Sequence, residues 1–158
     1  MGMAEQLQEY AKFHQDQRNV YTHMVGIPLI VFAIQLWTSW LVVGVPGYFT
    51  LPLSLLLTIG LLGFYARYNL KNAAIAAMYL LPLVAIAYGV HFLHVIHPVW
   101  VATICFLLGW ALQFIGHIFE AQKPAFMDNL LHLLIGPLFI ILEVNNLFCS
   151  KDPKQTES

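Results

Sequence analysis

The sequence is short of charge. Only 9% of its 158 residues are Asp, Glu, Lys or Arg, and the formal net charge is -1. Soluble domains carry about 25% charged residues, so an ordinary water-facing surface is excluded. The near-neutral balance supplies no basic face, and no nucleic-acid partner is expected. Cysteine is scarce too. Cys105 and Cys149 are far apart and form no C-x-x-C, which argues against a disulfide framework and a cysteine metal site. The opening stretch MGMAEQLQEYAKFHQDQRN lacks the apolar core of a cleavable signal peptide. The first apolar segment is expected to act as the targeting signal. With no repeat and no linker, one membrane-embedded domain over 1–150 is expected, followed by a polar tail at 151–158.

What the chain has instead is apolar length. Hydrophobic residues make up 59% of it, more than a core of this size can hide, so the excess must face lipid. Four runs, 24–43, 48–65, 73–96 and 99–119, approach or exceed the ~20 residues that cross a bilayer. A fifth, 125–148, is interrupted by Asp128, His132 and Glu143 and by Gly136-Pro137, which should kink it. Lipid-facing segments must be helical here, since open sheet edges do not face hydrocarbon. The expected fold is an all-α multipass bundle: four full crossing helices, a kinked and partly embedded fifth segment, and an N-terminal surface helix. In that helix Leu7, Tyr10, Ala11 and His14 share a face. Lys12, Arg18, Arg67, Lys71 and Lys123 all fall on one side, and the loops at 44–47 and 97–98 carry no Lys or Arg; Lys151 and Lys154 join the first side if the fifth segment re-enters and the opposite side if it crosses. The N-terminus is therefore expected on the cytoplasmic side.

The topology sorts the histidines. His14 and His23 fall at the cytoplasmic end of the first crossing helix, His117 and Glu120 at that of the fourth, and Asp128 and His132 at the start of the fifth. His14 and His23 can meet only if the chain turns near Arg18-Asn19, with Asn19 as a helix N-cap. Gln113, His117 and Glu120 are spaced i, i+4 and i+7 and stack along one stripe. Several imidazoles and a carboxylate at one depth suit Fe(II), Mn(II) or Zn(II), with Asn19, Gln113 or Glu143 available to orient a ligand ring. Glu143 lies in an apolar run, where a carboxylate is costly and marks a functional candidate. Plainer readings stand beside these. His132 can be a packing residue, and Glu120 can flank a membrane helix beside Lys123. His91, His94 and His97 at the far end are read as interfacial, with His91 and His94 as an alternative metal pair.

Two stretches carry a resemblance. FHQDQRNVYTHMVGIP (13–28) and GWALQFIGHIFEAQKPAFMDNLL (109–131), followed by GPLFIILE (136–143), resemble the small multipass membrane family typified by the fungal 2-hydroxy fatty acid dioxygenase. The patterns are H-x4-N-x3-H-x2-G-I-P and Q-F-x-G-H-x-x-F-E-x-x-x-P-A, and the match spans nearly the whole chain. The resemblance implies an Fe(II)-dependent oxygenase of fatty-acid α-oxidation, which takes a 2-hydroxy long-chain acid and O2 and yields the acid shortened by one carbon. It implies His14, His23 and His117 as metal ligands with Glu120 and Asn19 beside them, while His132 stands outside the pattern. Lys123 or Arg67 would steer the substrate carboxylate, and Asp128 and Glu143 would support the site from behind. The location implied is the endoplasmic reticulum in a eukaryote and the inner membrane in a bacterium. A haem-binding electron carrier and a nonenzymatic transporter or assembly protein remain as alternatives.

Overall fold

In the computed structural model, residues 2–45, 47–90 and 97–149 are described. His91, His94 and the polar tail lie outside them. Six α-helices run in order among these residues: α1 Met3–Ala11, α2 Gln17–Thr38, α3 Leu53–Ala66, α4 Leu70–Val90, α5 Pro98–Glu120 and α6 His132–Cys149. Three of them, α2, α4 and α5, are long and apolar enough to cross a membrane.

The second apolar run departs from expectation, and the fold is not purely α. Its start, with the end of the first run, forms an antiparallel hairpin of β1 (Val42–Val45) and β2 (Phe49–Pro52), in which Val42 faces Pro52 and Gly44 faces Thr50. The sequence VVGVPGYFTLP explains it. β-Branched and aromatic residues favour a pleated strand, and Gly47 takes the φ of +84° that the turn demands. Only 14 residues remain for α3, about 21 Å of helix, less than the ~30 Å of hydrocarbon. The fifth run also breaks earlier than expected. Residues 125–131 form a 3-10 helix and turns, and α6 then runs through Pro137.

Two cores hold the bundle. One joins α1, α3, α4 and α6 through Tyr10, Tyr65, Leu80, Ile135 and Leu138. There the Tyr65 hydroxyl donates to the Leu134 carbonyl at 2.6 Å, meeting the need of a buried phenol for a partner. The other core joins α2 to α5 through Ala33, Leu36 and Ala102. Glycine lets these two helices touch. A Cβ on Gly109 would lie 2.8 Å from the Gly26 carbonyl oxygen and 2.7 Å from Ile30 Cγ1. Gly109→Leu is therefore expected to lower the thermal midpoint in detergent, since overpacking costs about 1–3 kcal/mol or more. Gly60→Leu, where a Cβ meets nothing within 4 Å, should leave the midpoint unchanged.

Candidate metal centre

Three segments bring the site together. After α1 the chain turns through residues 12–15, and Asp16 caps α2 by accepting from the Arg18 N–H at 2.8 Å. The turn thus falls before Arg18-Asn19, and Asp16 rather than Asn19 is the N-cap. Asn19 sits one turn inside α2, fully buried, and its amide donates to the Phe13 carbonyl and to Glu120 Oε2, both at 3.0 Å. His23 follows one turn later. His117 comes from the end of α5, held close because Gly116 has no side chain. A Cβ there would meet Thr22 Oγ1, Asn19 Oδ1 and His23 Nδ1.

His14, His23 and His117 converge. All three are buried, at 6%, 1% and 7% exposure, and their ring centroids lie 4.5, 5.4 and 4.9 Å apart. One ring nitrogen from each lies within 4.8 Å of the other two. A common ion at ~2.0–2.2 Å from each nitrogen holds them at most about 4.4 Å apart, close to the spacing here.

The second nitrogens decide what this cluster can do. His14 Nδ1 donates to the Tyr10 carbonyl at 2.9 Å, and His23 Nδ1 to the Asn19 carbonyl at 2.9 Å. Each bond fixes the tautomer and leaves Nε2 with its lone pair free, the arrangement of a metal-bound imidazole. Tyr10 also stacks on His14 at 4.3 Å. His14 Nε2 and His117 Nδ1 are buried without a partner. Such orphaned atoms cost about 1–3 kcal/mol each, and a shared cation would satisfy them. The donor set therefore fits a divalent transition metal. It does not fit haem between two histidines, because the rings meet edge to face and leave no slot for a macrocycle.

Burial pushes the His14 imidazole down to about 4, so it is neutral and ligand-ready near pH 7. The folded value lies below the ordinary ~6.5, so the unfolded chain binds the proton first. The stability contributed by the neutral ring is complete above about 6.5 and is lost as the pH falls from there towards 4. Denaturant melts of metal-free protein at pH 7.5 and 5 should show lower stability at pH 5.

Glu120 is spent on the loop. Its carboxylate accepts from the Gln15 N–H at 2.8 Å, the Asp16 N–H at 2.9 Å and the Asn19 amide. Both oxygens thus hold the turn that presents His14. His132 is buried near the triad but outside it, with Nδ1 donating to the Ala125 carbonyl at 3.0 Å and Nε2 unpartnered. Gln113 is buried with its amide nitrogen unpartnered.

An apolar cavity of roughly 380 Å3 opens beside His23, Gln113, His117 and His132. A second of roughly 290 Å3 lies on the other side, against His14 and Glu143. Lys123 and Arg67 line neither. Lys123 pairs with Asp128 on the surface, which leaves Asp128 away from the triad, and Arg67 caps α3 at an exposed end. His97 stacks on Trp40 at the opposite end of α5. Tyr10 and Gly116 are the residues the sequence reading left without a role. The Gly-His dipeptide was the available signal for Gly116.

Most of the chain takes part in the likeness to known proteins. Residues 2–147 match the family model described as "2-hydroxy-palmitic acid dioxygenase Mpo1-like". The protein named 2-hydroxy-palmitic acid dioxygenase MPO1 from Saccharomyces cerevisiae is 30% identical over 145 residues, covering 90% of this chain and 79% of the relative. No solved structure matches. A match of this extent shows that the chain belongs to the Mpo1-like family.

Proposed function

We propose that this protein is an Fe(II)-dependent dioxygenase that shortens 2-hydroxy long-chain fatty acids by one carbon. One observation carries the proposal: three buried histidines form one cluster, His14 and His117 with a ring nitrogen left unpartnered, and two of the three, His23 and His117, line an apolar cavity. The yeast relative's name supports the substrate class and the use of O2.

His14, His23 and His117 would hold the iron. When bound, the ion would supply the Lewis-acid and redox chemistry that a chelating 2-hydroxy acid and O2 require. The remaining work falls to the chain. Tyr10 and Asn19 carbonyls fix two imidazole tautomers. Glu120 and Asn19 pin the His14 turn to α2 and α5. Gln113 offers an unpaired amide donor to the substrate's polar head, and the apolar lining excludes water. Atoms balance when the bond between the carboxyl carbon and the hydroxylated carbon breaks. The hydroxylated carbon becomes the new carboxyl, with carbon dioxide and water as the other products. The substrate loses four electrons and O2 accepts them. The site is proposed to face the cytoplasm, on the endoplasmic reticulum in a eukaryote or the inner membrane in a bacterium, where lipid delivers the acid.

Purified protein supplied with Fe(II), O2 and 2-hydroxyhexadecanoic acid is expected to release the fifteen-carbon acid. A chelator should stop turnover, and unhydroxylated hexadecanoic acid should not react. Release of no shortened acid from any 2-hydroxy acid would overturn the reading.

A further inference from the structure

The cavity has direction. α2 and α5 run antiparallel, and the close approaches of Gly26 to Gln113 and of Gly109 to Ile30 set their register. From the level of His23 and His117, each further turn adds a facing pair to the cavity wall: Ile27 with Gln113, then Ile30 with Trp110, then Ile34 with Phe106. On α2 and α5 the titratable and amide side chains are confined to the first two levels, at His23, His117 and Gln113. Gln113 Nε2 and His117 Nδ1 are buried there without a partner, and His132 Nε2, which joins the lining from the start of α6, is unpartnered too. The deeper levels are apolar on α2 and α5, and α6 adds Leu133, Leu134 and Pro137. At the far end the Phe106 ring packs on Trp37 at 5.0 Å.

Such a space suits one kind of occupant: a molecule with a compact polar head and an unbranched apolar tail. The helices climb ~16 Å from His23 to Ile34 and from His117 to Phe106, at about 1.5 Å per residue. An extended chain advances about 1.2 Å per bond, a third of the rise of an extended residue, so about 13 bonds fit between the histidines and the Phe106 wall.

We propose that the substrate's acyl tail lies along this cavity, that the Phe106 wall sets the longest tail accepted, and that Ile30 sets its width. The inference rests on the fatty-acid reading above and adds the residues that select chain length.

The test is anaerobic binding, which needs no turnover. In a Trp37→Phe, Trp40→Phe, Trp100→Phe background, Trp110 is the one tryptophan left. It stands ~10 Å from His117 along α5, about 8–9 bonds from the head. Fatty acids brominated at carbons 9 and 10 should quench it most, and those brominated near the carboxyl or the terminal methyl should quench it less. Phe106→Ala should tighten binding of tails longer than sixteen carbons several-fold. Ile30→Trp should weaken binding of sixteen-carbon acids about tenfold and spare eight- to ten-carbon acids. Turnover profiles in air should shift the same way. Quenching that does not depend on bromine position, or a length profile that neither variant moves, overturns the proposal even if turnover is normal. Position-dependent quenching without any turnover leaves the cavity assignment standing and overturns the dioxygenase reading instead.

Discussion

His117→Ala is expected to strip the protein of iron and of turnover together. The substitution removes one of three imidazoles whose nitrogens share one small space. The two that remain would be left to hold the ion with water in place of the third ligand. Turnover should fall by at least about 100-fold, since even supporting partners of a metal ligand are worth 10–100-fold. His14→Ala and His23→Ala should behave alike. His97→Ala is the control, because its ring stacks on Trp40 at the far end of α5. It should keep both iron and turnover. Metal analysis beside product assay checks all four variants, and a His117→Ala protein that keeps its iron would mean another set of ligands.

Glu120→Ala should separate positioning from chemistry. The carboxylate accepts two backbone N–H groups and one amide N–H around the His14 turn. Hydrogen bonds to a charged group are worth about 1.5–3 kcal/mol each, so losing them frees the turn. Iron affinity is expected to drop about 10–100-fold, and trypsin should cut faster after the exposed Lys12. Excess Fe(II) should then restore most turnover. Glu120→Gln should fall in between, because one amide oxygen can still accept while its NH2 faces donors. Unchanged iron affinity with abolished turnover would instead make Glu120 a reacting group.

The histidine cluster was legible because helical spacing and loop charge are both local signals. Spacing put Gln113, His117 and Glu120 on one stripe, and the Lys and Arg pattern put His14, His23, His117 and His132 at one depth; the family resemblance, not the spacing, singled out the three that cluster. The details that depend on contacts between segments were not legible. Whether Asp16 or Asn19 caps α2 turns on Glu120, more than 100 residues away, which captures the Asn19 amide. Lys123 was open to steering a substrate until the turn after α5 brought Asp128 to it. Hydropathy alone read 48–52 as helix because phenylalanine and leucine are as apolar in a strand as in a helix. The Pro46-Gly47 pair was the turn signal that outweighed it.

The proposed centre is one Fe(II) per chain on His14, His23 and His117. Its most direct measurement is an anaerobic Fe(II) titration of metal-stripped protein, with turnover of 2-hydroxyhexadecanoic acid assayed at each point. Binding should saturate at one ion per chain, turnover should rise in proportion to occupancy, and the variant lacking all three histidines should bind none. Turnover at zero iron, or an equal stoichiometry in that variant, would contradict the account.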